Sequence, residues 1–141
     1  MVVFRCSLLT LLSASLLLFG CDEPEELMTR VEVGVFFGGQ VQRLSRIEID
    51  VAHPKTVGFR VHLAHGRQAK TLISYEIVAP GPAGRRVTRT DSFSVEPGRD
   101  QIDQVIPLGQ DPKWGVWNVR VTSDQGILAD RALFLVEPGA S

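Results

Sequence analysis

The chain has 141 residues and a formal net charge of −1 at pH 7, with 22% charged side chains. A nearly neutral chain with both signs interspersed has no basic patch of the kind that nucleic-acid binding requires, so we expect no nucleic-acid partner. Its two cysteines are Cys6 and Cys21, so the chain beyond Cys21 has no thiol for a disulfide, a metal ion or a nucleophile.

The N-terminus is predicted to be a cleaved signal peptide spanning residues 1–20. A short positive segment ends at Arg5, and a mostly apolar run follows from Leu8 to Phe19. A helix of roughly a dozen residues is about 18 Å long, well short of the ~30 Å hydrocarbon core of a bilayer. The run is therefore typical of a signal peptide rather than a transmembrane helix. Its removal takes away Arg5 and no acidic residue, which leaves 14 basic against 16 acidic residues and a net charge of −2.

The end of this run, Leu18-Phe19-Gly20-Cys21, resembles the lipobox of bacterial lipoproteins. The resemblance implies cleavage between Gly20 and Cys21 and attachment of diacylglycerol to the Cys21 thiol, with further acylation such as palmitate. Two or three acyl chains hold a protein firmly on a membrane, whereas a single myristoyl chain binds only marginally. We therefore expect a membrane-anchored lipoprotein of the bacterial envelope. The alternative is an ordinary signal peptide followed by an incidental cysteine.

Residues 21–28 are predicted to be the lipidated cysteine and an acidic tether. The run from Asp22 to Glu26 contains four acids and Pro24, so it self-repels and spans at most ~25 Å. The alternative is that these charges form a docking motif. Asp22, directly after the cysteine, resembles the inner-membrane retention signal of enterobacterial lipoproteins. This resemblance favours a periplasm-facing position on the inner membrane over the outer membrane.

Residues 29–138 are predicted to form one domain, because a mature chain of about 120 residues has the size of a single ordinary domain. Apolar side chains alternate with other side chains along several runs, which is the period of a β-strand with one buried face. Glycines and prolines separate the runs, and Ser123-Asp124-Gln125-Gly126 predicts a hairpin. We therefore expect an all-β fold, a single antiparallel β-sandwich of seven to eight strands. The strand runs are Val31–Phe37, Val41–Val51, Val57–Leu63, Ile73–Ile77, Arg85–Val95, Gln101–Leu108, Val116–Thr122 and Ile127–Val136.

The last two strand runs carry a Gly-x-Trp-x-Val-x-Val pattern and then a strand that ends in an aromatic residue and a valine. The residues are Gly115, Trp117, Val119 and Val121, followed by Leu128, Phe134 and Val136. This pattern resembles the closing hairpin of immunoglobulin-like and fibronectin-like bacterial domains, and the match covers residues 114–136. It implies an immunoglobulin-like fold but no particular function.

Trp117 is expected to fill the space between the two sheets, while Asn118 and Arg120 face outward. In the alternative interpretation, Trp114 and Trp117 form a ligand-stacking pair, as in carbohydrate-binding modules. Residues three apart on a strand point to opposite faces, so that pair requires a turn or a bulge.

No pattern in the sequence points to a metal site, a cofactor or catalysis. His53, His62 and His65 lack the spacing of metal ligands. No nucleotide-binding, metalloprotease or serine-hydrolase motif occurs in the sequence. We therefore expect no metal, no cofactor and no enzymatic activity.

Arg85, Arg86 and Arg89 form the densest basic group in the sequence, beside a loop rich in proline and glycine. They are the candidate contact for an anionic ligand or a protein partner. The alternative is a solvated edge strand, because two threonines and an aspartate lie among and after the arginines.

These patterns support two functional hypotheses. The first is a noncatalytic envelope lipoprotein that binds another envelope protein or braces an assembly from its membrane anchor. The second is a small periplasmic hydrolase or enzyme-inhibitor lipoprotein. Small lipoproteins that inhibit lysozyme usually carry a Ser-Gly-x-x-Tyr loop, and Tyr75, the single tyrosine, lies outside such a sequence. The first hypothesis therefore agrees better with the sequence.

Overall fold

The computed structural model describes residues 30–109 and 113–139. The predicted signal peptide (1–20), the lipobox with Gly20 and Cys21, and the tether (21–28) lie outside the described residues. Within the described part of the chain, no helix is long and apolar enough to span a membrane. The described residues form β-strands and one short 3-10 turn, Pro82–Gly84.

The strands form two sheets that pack face to face, so the fold is the predicted β-sandwich. The described strands, in chain order, are β1 (Arg30–Phe37), β2 (Gln40–Gln42), β3 (Arg46–Glu48), β4 (Thr56–His62), β5 (Thr71–Pro80), β6 (Arg86–Val95), β7 (Gln101–Val105), β8 (Gly115–Ser123) and β9 (Gly126–Val136). The first sheet has the order β2-β1-β4-β7, and the second has the order β3-β9-β8-β5-β6.

Two details differ from the predicted antiparallel sandwich of seven to eight strands. The described residues contain nine strands, because the predicted run Val41–Val51 splits into β2 and β3. The split occurs because the chain crosses from the first sheet to the second between these two short strands. On arrival, β3 pairs with β9 in the parallel direction, with Ile47 opposite Leu135, so the second sheet is mixed.

Side chains from both sheets meet in one core, as their alternation predicts. Phe59 on β4 is fully buried, and its ring centroid lies 5.2 Å from that of Tyr75 on β5 in an edge arrangement. Trp117 is only 6% exposed, and its Nε1 donates a hydrogen bond to the Lys113 carbonyl oxygen at 2.8 Å. Trp117 is therefore a core residue, as predicted, and is not available as one half of a ligand-stacking pair. The other buried apolar side chains are Val33, Val35, Ile47, Ile49, Val57, Val61, Leu63, Ile73, Ile77, Val95, Ile106, Val119, Val121, Leu133 and Leu135.

Phe37 departs from the alternation that predicts it to face inward, since 70% of its surface is exposed. It is the last residue of β1 and directly precedes the turn at Gly38 and Gly39, whose φ angles are 56° and 78°. Such positive φ angles favour glycine, so the pair fixes the turn to β2 and carries Phe37 out of the core.

The predicted hairpin at the end of the chain is confirmed. β8 ends at Ser123 and β9 begins at Gly126, so Asp124 and Gln125 form a two-residue turn. The Gln125 amide donates a hydrogen bond to the Ser123 Oγ at 3.1 Å, and Gly126 has a φ of 118°. The turn pairs Ser123 with Gly126, and a register shift between Val121 and Thr122 then places Trp117 opposite Leu133.

Candidate functional site

The edge strand β6 is the longest continuous unpaired edge in the described part of the molecule. All its residues pair with β5, from Thr71 opposite Val95 to Pro80 opposite Arg86. No described strand lies on its other side. Most of its side chains are exposed. The backbone N–H and C=O groups of such an edge form a template for another strand.

The two faces of β6 carry different side chains. Val87 and Arg89 lie opposite Ala79 and Ile77 on β5, on the face that continues from the core. Residues at the alternate positions, such as Thr90 opposite Glu76, lie on the outer face of the second sheet. A strand that paired with β6 would therefore meet an apolar surface on one side and a polar surface on the other.

The structure does not bring the three predicted arginines together. Arg86 and Arg89 are three residues apart on a strand and so lie on opposite faces. Arg85 lies in the turn that precedes the strand, where its backbone N–H donates to the Pro82 carbonyl oxygen at 3.1 Å. The Arg86 side chain is hydrogen-bonded to the sheet, since its Nη2 donates to the carbonyl oxygens of Val78 and Val116 at 3.0 and 3.1 Å. Of the three, only Arg89 has its side chain on the apolar face, and its guanidinium makes no hydrogen bond or ion pair with another described residue.

A cleft of about 240 Å³, here called the edge cleft, opens beside this face of β6. It lies between β5 and β6 on one side and the segment 106–109, which follows β7, on the other. Trp117 lines it, so the cleft reaches down to the core. The lining residues are Ile77, Ala79, Pro80, Gly81, Pro82, Val87, Arg89, Ile106, Pro107, Leu108, Gly109, Lys113 and Trp117.

The outer face of the first sheet carries a row of charged residues that are far apart in the sequence. Glu32 on β1 lies opposite Arg60 on β4, and Arg60 lies opposite Asp103 on β7. Arg60 Nε and Nη2 donate to the two Asp103 carboxylate oxygens at 2.6 and 2.8 Å. Arg60 also donates to the Gly39 carbonyl oxygen at 2.9 Å, and its guanidinium lies 5.8 Å from the Phe36 ring centroid. The row thus connects three strands and the turn after β1.

Glu32 is the acceptor for three cationic or polar side chains. His62 Nε2 and Arg43 Nη2 each donate to it at 2.8 Å, and Arg30 donates as well. The hydrogen bond from His62, followed by those from the two arginines, lowers the pKa of the Glu32 carboxyl to about 2. In the same row, the hydrogen bond from Arg60 lowers the pKa of Asp103. Both carboxylates therefore stay ionised. Glu32 is paired with His62 and two arginines, and Asp103 is paired with Arg60, which is the arrangement of a structural network.

The three histidines lie beside three different carboxylates. His53 Nδ1 is 2.9 Å from an Asp50 oxygen, and His65 Nδ1 is 2.6 Å from an Asp100 oxygen. His62 belongs to the Glu32 network. Among the described residues, no group of three or more His, Cys, Asp or Glu side chains is placed to hold a metal ion.

Comparison of the sequence with protein-family models and with curated proteins gives no match. Among solved structures, the fold is similar to that of an immunoglobulin-like protein from Pseudomonas aeruginosa. The TM-score is 0.51 and the identity 19%, over 77% of this chain and 96% of that chain. The similarity shows that the fold is immunoglobulin-like, as the closing hairpin predicts, and at this identity it shows the fold alone.

A second similar structure is the alkylpurine DNA glycosylase of Pseudomonas fluorescens bound to DNA that contains an abasic site analogue. The TM-score is 0.41 and the identity 15%, over 77% of this chain and 30% of the glycosylase chain. This likeness is too distant to bear on the function of the present protein.

Proposed function

We propose that the protein is a noncatalytic lipoprotein of the bacterial cell envelope whose immunoglobulin-like domain binds another envelope protein through the edge of β6. The observation that carries the proposal is the exposed edge of β6, along which no other described strand pairs. Addition of a partner strand to such an edge is a general mode of protein recognition. Main-chain hydrogen bonds supply affinity, and pockets for alternate side chains supply specificity.

The side chains beside β6 support a specific contact rather than a nonspecific one. On one face, a partner strand would place its side chains over Val87 and the edge cleft. On the other, it would meet Thr90, Glu76 and Arg120, which lie side by side across β6, β5 and β8. A partner segment with alternating apolar and polar residues fits this surface best.

The membrane attachment in this proposal comes from the sequence pattern alone. Lipidation of Cys21 would place the domain within the reach of a short acidic tether from the membrane, facing the periplasm. Asp22 favours the inner membrane as the location. A tethered domain searches for partners in two dimensions and at high effective concentration, which compensates for a weak edge contact.

The test compares two variants in a strain that lacks the protein. Thr88→Glu with Arg89→Glu places negative charge on both faces of β6, and we expect it to fail to restore the envelope phenotype of the deletion. His53→Ala, His65→Ala and His62→Gln together remove the imidazoles while retaining a donor near Glu32, and we expect this triple variant to restore the phenotype. Circular dichroism establishes that both variants fold. If the histidine variant alone failed to restore the phenotype, the result would contradict the binding module and favour an active site.

A further inference from the structure

We propose that the edge cleft binds a small amphiphilic monoanion, a molecule with an aliphatic body and a single carboxylate, with Arg89 as its counter-charge. This goes beyond the proposed partner contact, because it assigns a ligand to a cavity in the isolated domain.

The body of the cleft is apolar and has room for a small ligand. Ile77, Val87 and Leu108 line it together with Trp117, at a volume of about 240 Å³. An apolar cavity of roughly 150 Å³ holds a benzene molecule, so this cleft can accept an aliphatic chain of several carbons. Such a chain covers the apolar lining and displaces water from it, which is the usual source of affinity in small-molecule sites.

The charged residues among the described lining of the cleft are Arg89 and Lys113, and no carboxylate is among those described residues. The neighbouring cleft on the other side of the segment 106–109 differs, because Asp50 accompanies Lys55 there. An apolar cavity with an arginine at its wall favours an anionic head group on an apolar ligand.

Arg89 has the chemistry that such a head group needs. Its guanidinium makes no hydrogen bond or ion pair with another described residue, whereas Arg86 on the opposite face is bound to two carbonyl oxygens. A free guanidinium can donate two parallel hydrogen bonds to one carboxylate. The ligand would therefore lie with its chain toward Trp117 and its carboxylate toward Arg89.

Titration with octanoate tests the proposal on the full chain from residue 21, made without lipid through Cys21→Ser. The Trp117 indole N–H donates to the Lys113 carbonyl oxygen in the wall of the cleft, so its NMR resonance reports occupancy. Trp114→Phe distinguishes the two indole signals. We expect octanoate to shift the Trp117 signal saturably, and 1-octanol, which lacks the charge, to bind at least about tenfold more weakly.

Two variants separate the charge from the cavity. Arg89→Gln should weaken octanoate binding by at least about tenfold, while Arg85→Gln, which removes a nearby charge outside the cleft, should leave it unchanged. Ala79→Leu fills the cleft without altering its charge and should abolish binding. Equal binding of octanoate and 1-octanol, or an unchanged affinity in Arg89→Gln, would overturn the proposal. Because no partner is present, failure here is distinct from failure of the β6 contact.

Discussion

Arg60 and Asp103 lie directly opposite each other on β4 and β7 and share two hydrogen bonds of 2.6 and 2.8 Å. The Arg60 side chain is 11% exposed and that of Asp103 is 41% exposed, so the pair is only partly shielded from water. Because the guanidinium also holds the Gly39 carbonyl oxygen, this one side chain fastens the edge strand β7 and the β1–β2 turn to the middle of the first sheet.

Replacement of Arg60 by lysine tests this role of the guanidinium group. Arg60→Lys keeps the charge but cannot donate in parallel to Asp103 while also reaching Gly39, so we expect a loss of about 1 to 2 kcal/mol in the free energy of unfolding. The estimate is modest because Asp103 is partly solvated. Urea denaturation measures the change in the free energy of unfolding. A variant as stable as wild type would show that the paired hydrogen bonds of the guanidinium contribute nothing to stability.

The lowered pKa of Glu32 predicts that the free energy of unfolding decreases in acid. Its pKa is lowered to about 2 in the folded protein from an ordinary value of 4.5. A depressed pKa stabilises the fold at pH values above the unfolded pKa, and this stabilisation is lost as the pH falls from about 4.5 toward about 2. Glu32→Gln should be less stable than wild type at pH 7 and should lose less stability across that window.

Denaturant melts at a series of pH values check the contribution of Glu32. The two stability curves should converge as the pH approaches 2, because the wild-type carboxyl is then protonated and the charge that distinguishes it from glutamine is gone. Parallel curves over the whole range would mean that Glu32 is not the group responsible for acid destabilisation.

The burial of Trp117 predicts that two positions of β8, Trp117 and Arg120, differ strongly in their contribution to stability. Trp117→Ala removes a buried indole and should lower the free energy of unfolding by about 3 to 5 kcal/mol. Arg120→Ala removes an exposed side chain paired with the equally exposed Asp130, and the loss should be far smaller. Thermal or urea unfolding measures the loss in both variants. Similar losses would contradict the burial of Trp117 in the core.

The lipobox resemblance predicts that Cys21 attaches the whole protein to a membrane. Cys21→Ser removes the thiol that the lipobox resemblance assigns to diacylglycerol, so we expect the variant to accumulate as an unprocessed precursor or in the soluble fraction. Fractionation of cells with an immunoblot measures the distribution. A variant that is processed and sediments with membranes like wild type would contradict lipidation at this position.

Local periodicity was enough to predict the sandwich and much of its core. Val57, Phe59, Val61 and Leu63 alternate in the sequence, and all four are buried, because a strand with one covered face imposes period two on its own residues. Phe37 breaks the rule because the strand ends there, where the exposed turn begins.

The charged row and the edge cleft could not be predicted in the same way, because both depend on register between distant segments. Glu32, Arg60 and Asp103 become neighbours only when β1, β4 and β7 pair in one alignment. Gly34 is a similar case, since a Cβ atom there would collide with the Gln42 carbonyl oxygen, a contact that nothing near Gly34 in the sequence indicates. The arginine group shows the reverse, because its members are adjacent in sequence and yet lie on different faces.

Position-specific photo-crosslinking in bacterial cells that produce the protein tests the proposed binding role of β6 most directly. A benzophenone amino acid replaces Thr88 on β6 or, as the matched control on the opposite sheet's edge strand, Gln101 on β7; both side chains are exposed. We expect Thr88 to give one discrete protein adduct in the membrane fraction, Gln101 to give none, and the adduct to disappear when Arg89→Glu is added. An adduct from Gln101 alone, or no adduct from Thr88 in a correctly localised protein, would contradict binding through the β6 edge.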